Sequence, residues 1–256
     1  MNDYLGQFRL SGKIALVTGA SEGIGRDLAV GLASAGADVI LSSRNEKKLI
    51  EVASEIKGMG RKAEVFVADV TRREDIEGLN QFVLAGLGKL DILVNNAGFV
   101  ATKMAWDISE EEWDRMVNTG LKGLFFCSQA LGAVMRDQGY GKIINLSSTF
   151  SRSTIMGRSV YAAIKAGVSH LTEALAVEWA PHGIRVNALA PTATNTPSRE
   201  QALKGDILKY MLSRIPLGRL AEPGDLIPAA IYLASPASDF ITGQTLFVDG
   251  GWVAQG

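Results

Sequence analysis

The chain has 256 residues, of which 47% are hydrophobic and 21% are charged, a composition typical of a globular protein. Its formal net charge of −1 provides no basic excess for nucleic-acid phosphates, so nucleic acid is not an expected partner. No apolar run reaches the ~18 residues of a membrane span, and residues 1–10 lack the apolar core of a signal peptide. We therefore expect a cytoplasmic enzyme without a membrane partner, and a buried, unreactive thiol at the single cysteine, Cys127.

Short β-branched runs alternate with helical patterns along the whole chain. The length allows one large domain or two small ones, but no repeat or linker divides the sequence. The predicted strands, which are almost continuously apolar, are Ile14–Thr18, Asp38–Ser42, Glu64–Ala68, Asp91–Val94, Lys142–Ser147, Ile184–Leu189 and Leu246–Val248. Such runs are typical of parallel strands that are covered on both faces. We expect one α/β domain over residues 1–256, with a doubly wound, Rossmann-type parallel sheet of seven strands.

Three helical patterns accompany these strands. The apolar residues from Leu49 to Ile56 recur at i, i+3, i+4 and i+7, which indicates one face of a helix. Residues Asp107 to Met135 form one predicted helical segment, and Tyr161 to Trp179 form another that is rich in small residues. Because ligands on a doubly wound sheet bind at the carboxyl ends of the strands, the functional residues should lie there.

A glycine-rich turn follows the first predicted strand. Its glycines permit a tight turn, a close approach of the backbone to a pyrophosphate, and close packing of helix against strand. The helix that follows offers free N–H groups and a positive dipole end to an anion. The spacing is G-x-x-x-G-x-G, and a glycine-rich turn without a ligand is the alternative. The candidate cofactor-binding residues of this turn are Gly19, Ser21, Glu22, Gly23, Ile24 and Gly25.

The end of the second strand bears on the choice of cofactor. An acidic residue there would bind an adenosine ribose diol, as NAD requires. Here Ser43 offers a hydroxyl and Arg44 a guanidinium, which suit a 2′-phosphate and predict NADP, with NAD as the alternative. Two considerations weigh against this interpretation, since Arg44 could be a solvated helix-start residue and the Glu22 carboxylate could repel the phosphate.

A candidate catalytic group lies in the second half of the chain. Tyr161 and Lys165 are four residues apart, which places them on one face of the predicted helix. The cation favours the phenolate, so the pKa of Tyr161 should fall toward the pH at which a general acid or base works. Ser148 ends the preceding strand and could hold a substrate oxygen beside Tyr161.

With these features the chain resembles the short-chain dehydrogenase/reductase family over essentially its whole length. The shared motifs are T-G-x-x-x-G-x-G at Thr18–Gly25, an aspartate after the third strand at Asp69, N-N-A-G at Asn95–Gly98, Y-x-x-x-K at Tyr161–Lys165 with Ser148, and D-G-G at Asp249–Gly251. The resemblance implies the strand order 3-2-1-4-5-6-7, a homotetramer and hydride transfer between a nicotinamide cofactor and a carbonyl or alcohol, with no metal. Ser148 would stabilise the developing oxyanion, Tyr161 would protonate it, and Lys165 would hold down the Tyr161 pKa.

The resemblance also implies further contacts with the cofactor. By position, Asp69 and Val70 would meet the adenine, and Lys165 would bind the nicotinamide ribose. The other residues assigned to the cofactor in this way are Asn96, Ala97, Gly98, Thr194 and Thr196.

Two positions depart from the family pattern. The family usually has Pro-Gly at the end of the sixth strand, where this chain has Pro191-Thr192. The family's fourth catalytic residue, an asparagine, is replaced by Gly120, and we do not transfer its role to Asn118. Because the family uses the main-chain carbonyl at this position, we expect an active enzyme with an unusual helix bend.

The sequence is least informative about the substrate. Residues 192–217, which include Arg199 and Lys204, are a predicted substrate lid, and Arg152 and Arg158 lie before Tyr161. These cations would suit an anionic substrate, either a sugar acid or an acyl-carrier thioester, although solvated loop charges are the alternative. The family resemblance extends to sugar-acid dehydrogenases and 3-oxoacyl-carrier-protein reductases alike. A non-catalytic nucleotide-binding sensor or structural protein is the remaining alternative, against which Ser148 and Tyr161 argue.

Overall fold

Seven parallel strands form one sheet in the computed structural model, which describes residues 3–196 and 204–255. The strands are β1 (Ile14–Thr18), β2 (Asp38–Ser43), β3 (Ala63–Val67), β4 (Ile92–Asn95), β5 (Gly141–Leu146), β6 (Ile184–Pro191) and β7 (Thr245–Val248). Their order is β3-β2-β1-β4-β5-β6-β7, so the predicted fold class and strand order are confirmed. All seven predicted strands are present, with ends that differ from the predicted ones by at most two residues.

Helices cover both faces of this sheet. Within the described residues they are α1 (Gly23–Ser34), α2 (Glu46–Gly58), α3 (Arg73–Gly86), α4 (Glu110–Val117), α5 (Gly123–Gln138), α6 (Ser159–Trp179), α7 (Gly205–Ser213) and α8 (Pro223–Ala234). Strand β1 shows why the strands are apolar throughout, because Val17 faces the core under α1, α2 and α8 while Leu16 faces the core under α3, α5 and α6. Successive side chains of a strand point to opposite faces, and here both faces are buried.

The predicted helix from Asp107 to Met135 is divided in the structure. It begins later than predicted, because Ser109 caps α4 and exchanges hydrogen bonds with Glu112 in a capping box. A π-helix spans Asn118–Lys122 between α4 and α5, and the Gly123 N–H donates to the carbonyl of Asn118. The predicted segment is therefore helical from Glu110 onward, with a π-helix between its two α-helical parts, and the expected helix bend stays a prediction.

The parallel sheet places the carboxyl ends of β1, β4 and β5 side by side at one edge. The strand order reverses at β1, which pairs with β2 on one side and β4 on the other. Such a switch point opens a crevice for a ligand. In the described part of the chain, no helix is both long and apolar enough to cross a membrane.

The amino ends of the strands include a buried lysine that pairs with a partly exposed aspartate. The Lys142 side chain is fully buried at the start of β5, and its Nζ lies 2.8 Å from Asp239 Oδ1. Lys142 Nζ also donates to Ser238 Oγ at 3.1 Å. Burial lowers the pKa of Lys142 below its ordinary value, although the ion pair with Asp239 opposes the shift. The ammonium therefore depends on its counterion.

Replacement of Asp239 by alanine should destabilise the fold by about 1–3 kcal/mol at neutral pH, because it leaves Lys142 charged and unpaired. The lowered pKa of Lys142 means that the folded state releases this proton first, so the deficit should shrink as pH rises toward the ordinary lysine pKa. Urea unfolding at neutral and alkaline pH measures both effects. Lys142→Met in the Asp239→Ala background is the matched control and should restore most of the stability. Equal stability of Asp239→Ala and wild type would contradict the prediction.

Candidate active site

The glycine-rich turn has the geometry that its sequence predicts. Gly19 has φ +65°, in the left-handed region that favours glycine, and α1 begins at Gly23. A Cβ at Gly25 would lie 2.3 Å from the carbonyl oxygen of Gly19, a separation that no side chain permits. The turn therefore packs tightly against the start of α1, and the first N–H groups of a helix are suited to bind a phosphate.

The N-N-A-G segment holds this turn in place. The Asn96 side chain donates from Nδ2 to the carbonyls of Thr18 and Gly19, both at 3.1 Å. In return, Thr18 Oγ1 accepts from the N–H groups of Asn96 and Ala97, at 3.1 and 3.2 Å. The structure thus brings together two predicted cofactor segments that are far apart in sequence. Gly98 follows Asn96 and Ala97 in the second of these segments.

Two ion pairs lie at the ends of β1, β2 and β3. Lys48 on α2 forms an ion pair with Glu22, which raises the pKa of Lys48 above its ordinary value. Arg44 lies with its Nη1 3.6 Å from Asp69 Oδ2, and its side chain is 71% exposed. The Ser43 hydroxyl accepts from the N–H of Asn45 at 3.2 Å. The Glu22 charge, which sequence analysis set against a 2′-phosphate, is therefore compensated by Lys48, a residue that the sequence analysis missed.

Asp69 is fixed at the end of β3 by local hydrogen bonds. Its Oδ1 accepts from both the N–H and the hydroxyl of Thr71, at 2.9 and 2.8 Å. Burial tends to raise the pKa of Asp69, but the bonds from Thr71 and the charge of Arg44 outweigh it, and the pKa lies below its ordinary value. The next residue, Val70, is 9% exposed. Its carbonyl oxygen lies 2.7 Å from where a Cβ at Gly123 would be.

In the segment after β6, Thr194 and Thr196 have different surroundings. Thr194 is fully buried, and its hydroxyl donates to the carbonyl of Thr192 at 3.0 Å. Thr196 lies beside the glycine-rich turn, with its methyl carbon 3.8 Å from where a Cβ at Gly23 would be. Within residues 3–196 and 204–255, no residue other than glycine has a positive φ. Thr192 therefore follows β6 without a left-handed backbone conformation. Arg199 lies outside the described residues.

The three candidate catalytic residues meet at the carboxyl end of β5. Ser148 is buried two residues after this strand, and its hydroxyl accepts from the N–H of Phe150 at 3.2 Å. Tyr161 and Lys165 lie on α6, with Lys165 Nζ 5.7 Å from the centroid of the Tyr161 ring. Helix α6 packs directly against the turn Thr149–Ser151 that follows Ser148. The arrangement therefore places a hydroxyl, a phenol and an ammonium at one site.

Lys165 is held by a group that sequence analysis missed. Its Nζ donates to the main-chain carbonyl of Leu146, the last residue of β5, at 2.5 Å. The Lys165 side chain is buried, so this carbonyl compensates part of the desolvation of the ammonium. A main-chain carbonyl carries no residue-type signal, and only the crossing of α6 over β5 reveals it.

Gly120 lies in the π-helix and is buried. Its φ is not positive, so its backbone conformation is open to other residues. A Cβ there would lie 3.1 Å from Cγ2 of Ile164 on α6. The glycine therefore permits a close approach of the π-helix to α6 at the residue next to Lys165.

Two aromatic residues pack in succession beside the Tyr161 ring. Phe150 packs edge-on against it, with centroids 6.1 Å apart, and Trp252 packs edge-on against Phe150 at the same separation. Trp252 is 2% exposed, and its Nε1 donates to Ser153 Oγ at 2.9 Å. Sequence analysis missed Trp252.

The cations predicted for an anionic substrate are dispersed. Arg152 lies over the Phe247 ring of β7, 5.2 Å from its centroid, and is exposed. Arg158 immediately precedes α6, and Lys204 immediately precedes α7 and is exposed. Cys127 is buried as predicted, and burial raises the pKa of its thiol to about 12.

Comparisons with known proteins agree with this geometry. A family model described as enoyl-(acyl carrier protein) reductase matches residues 19–253. The chain is 41% identical over 254 residues to the 2-dehydro-3-deoxy-D-gluconate 5-dehydrogenase of Dickeya dadantii, covering 98% of this chain and 99% of that protein. It is 38% identical over 245 residues to a 3-oxoacyl-(acyl-carrier-protein) reductase of Thermotoga maritima, covering 96% of this chain and 99% of that protein.

A solved structure is equally similar. The gluconate 5-dehydrogenase from Burkholderia cenocepacia J2315, in complex with NADP and tartrate, matches with a TM-score of 0.94 and 38% identity, covering 98% of each chain. Sequence similarity over the whole length, the strand order and the grouping of Ser148, Tyr161 and Lys165 therefore agree. The chain belongs to the short-chain dehydrogenase/reductase family, whose members are NAD(P)-dependent oxidoreductases acting on CH–OH groups.

Proposed function

We propose that this protein is an NADP(H)-dependent oxidoreductase that interconverts a ketone and a secondary alcohol on a sugar acid of the gluconate type. The observation that carries the proposal is the meeting of Ser148, Tyr161 and Lys165 at the carboxyl end of β5, with the ammonium 5.7 Å from the centroid of the phenol ring. A structural or sensor protein would have no need of an ammonium buried beside a phenol, since burial of a charge is unfavourable.

The residues divide the proton chemistry between them. When bound, the nicotinamide supplies or accepts the hydride. Ser148 holds the substrate oxygen through its hydroxyl and stabilises negative charge that develops there. Tyr161 donates its phenolic proton to that oxygen during reduction and takes it back during oxidation. Lys165 favours the phenolate by its charge, and the Leu146 carbonyl holds its Nζ in place.

The glycine-rich turn and the surrounding charges fit a dinucleotide. The close approach of Gly25 to the Gly19 carbonyl leaves backbone N–H groups at the start of α1 for the pyrophosphate. Arg44 and Ser43 fit a 2′-phosphate, because Lys48 compensates the neighbouring Glu22. The NADP bound to the similar gluconate 5-dehydrogenase supports the same choice of cofactor.

The similarity to gluconate-type dehydrogenases supports a sugar acid as the substrate. A second candidate is reduction of 3-oxoacyl-carrier-protein thioesters, which the 38% identity to the Thermotoga maritima reductase supports. The homotetramer, the cytoplasmic location and a substrate lid over residues 192–217 stay predictions, and part of that lid lies outside the described residues.

The wild type should oxidise D-gluconate with NADP and reduce 5-ketogluconate with NADPH, followed by absorbance of NADPH. Tyr161→Phe removes the ionisable oxygen but keeps the ring against Phe150, so it should fold and bind NADPH. Its turnover should fall about 10²–10⁴-fold, the usual contribution of general acid–base catalysis.

Three outcomes would contradict parts of this proposal. A Tyr161→Phe variant that retains more than about a third of the native kcat would remove Tyr161 from the mechanism. Turnover of acetoacetyl thioesters but not of gluconate would favour the second candidate. Tight NADPH binding without turnover of any ketone, keto acid or thioester would favour the sensor protein.

Arg44→Ala should weaken NADPH binding and leave NADH binding almost unchanged. A charge-assisted hydrogen bond contributes roughly 1.5–3 kcal/mol, so the NADPH Kd should rise about 10- to 150-fold. Fluorescence titration of both cofactors measures this selectivity. Lys48→Met should weaken NADPH in the same sense, since it leaves Glu22 uncompensated, and Glu22→Gln should strengthen it. Equal losses for both cofactors would assign Arg44 a structural role, and a native preference for NADH would mean that Glu22 dominates.

Gly120→Ala should fold and remain active, because φ at this position is not positive. The gain of about 0.5–1 kcal/mol in helix propensity should nearly offset the tight contact of the new Cβ with Ile164. Gly120→Asn crowds the same contact further, so it should be slower, and Ile164→Ala in that background removes the crowded Cγ2 and should restore kcat. Thermal unfolding and kcat of the three variants test this account. The rival view, that loss of the asparagine abolished proton transfer, requires an inactive wild type and a Gly120→Asn variant with restored activity.

A further inference from the structure

Helix α6 is joined to strand β5 by side-chain hydrogen bonds. Asn145 and Ser147 are two residues apart and therefore point to the same face of the sheet, toward α6. Asn145 donates from Nδ2 to Thr172 Oγ1 at 2.9 Å, and both residues are fully buried. Asn145 also accepts from Asn95 Nδ2 of β4 at 2.9 Å. The register between these elements is thus set by directional contacts.

The contacts nearest the candidate active site involve two serine hydroxyls. Ser147 is 2% exposed and donates from Oγ to the main-chain carbonyl of Lys165 at 3.1 Å. Its Oγ also lies 2.8 Å from Oγ of Ser169, which is one turn farther along α6. Each hydroxyl has a single proton, and that of Ser147 is used on the carbonyl. Ser169 must therefore donate to Ser147, which gives a directed chain from Ser169 through Ser147 to Lys165.

Lys165 is consequently held at both ends, by the last residue of β5 and by the residue that follows it. Leu146 accepts from its Nζ at 2.5 Å, and Ser147 donates to its carbonyl at 3.1 Å. The next residue of the chain is Ser148. A shift of α6 along β5 by a fraction of a turn would break both bonds and would change the placement of Lys165 relative to Ser148.

Tyr161 moves with the same helix, since it lies one turn before Lys165. The apolar contacts of α6 do not fix this register alone, because Leu175 and Ala176 pack into the core without directional bonds. Directed hydrogen bonds between buried groups have narrow distance limits. The Ser147–Ser169 pair is thus the element that can resist sliding at the site itself.

We propose that Ser147 and Ser169 are positioning residues that set the register of α6 on β5, and through it the placement of Tyr161 and Lys165 against Ser148. The inference rests on the proposed catalytic roles of Tyr161 and Lys165. It does not depend on the identity of the substrate.

The test is the ionisation of Tyr161, which needs neither substrate nor cofactor. The chain has five tyrosines, and subtraction of the Tyr161→Phe titration isolates Tyr161 in phenolate absorbance near ~295 nm. In Ser147→Ala and Ser169→Ala the midpoint should rise by about 0.3–0.5 pH unit, because an ammonium about 1 Å farther away stabilises the phenolate less. The variants should also lose about three- to tenfold in kcat with D-gluconate, with little change in KM.

Two further variants separate positioning from stability. Ser169→Thr keeps a hydroxyl and should retain the native midpoint. Ser235→Ala removes a fully buried serine of comparable bonding, which donates to the Tyr232 carbonyl at 3.0 Å beyond the end of α8. It should lower the melting temperature like the other two alanine variants, without moving the Tyr161 midpoint.

The outcomes distinguish this inference from the proposed function. If Ser147→Ala and Ser169→Ala lower the melting temperature but leave the Tyr161 midpoint and the pH profile of kcat unchanged, the pair is merely structural and the inference is wrong. If Ser147→Ala does not fold, the half-buried Ser169→Ala carries the same test. A shifted midpoint in a protein without turnover would support the positioning role and would instead overturn the proposed reaction.

Discussion

All strands of the sheet run in one direction, and this constraint places every candidate functional group at one edge. Parallel strands are joined by crossover helices, so both faces of the sheet are covered and only the strand ends remain accessible. The end of β1 leads into the glycine-rich turn, the end of β4 into Asn96, and the end of β5 into Ser148. Residues separated by more than a hundred positions in the chain therefore come together without any long loop.

The edge of the sheet is organised by main-chain groups as much as by side chains. Asn96 bonds the carbonyls of Thr18 and Gly19, and Lys165 bonds the carbonyl of Leu146. These carbonyls belong to the last residues of β1 and β5 and to the turn that follows β1. The polar side chains that follow the strands satisfy them and become ordered in doing so, which is how a functional site gains rigidity from the sheet.

Neighbouring segments also compensate each other's charges near the ends of β1, β2 and β3. Glu22 and Asp69 are both close to the region proposed for the 2′-phosphate, yet each is paired with a cation from a neighbouring segment. Exposed pairs of this kind contribute little to stability. Their effect is instead on the local potential, which a phosphate would experience as less negative than the sequence around Glu22 implies.

Departures from the family pattern are accommodated by local backbone changes. Gly120 lies in a π-helix, where the absence of a side chain lets Ile164 of α6 approach closely. Thr192 follows β6 without positive φ, and its carbonyl accepts a bond from Thr194. Because the π-helix and the segment after β6 are defined by backbone geometry, the residue types at these two positions alone did not indicate how they would be accommodated.

The sequence by itself determined the seven strands, their order through the family resemblance, the glycine-rich turn and the grouping of Ser148, Tyr161 and Lys165. These features have strong local signals, since strand burial, turn geometry and helix spacing each restrict the residue types allowed. Only the tertiary structure decided the rest: the π-helix between α4 and α5, the ion pair of Glu22 with Lys48, the contact of Trp252 with Phe150, and the hydrogen bonds of Leu146 and Ser147 with Lys165. The physical reason is that each of these depends on how two distant elements cross, and a carbonyl or a common serine has no distinctive residue pattern until that crossing is known.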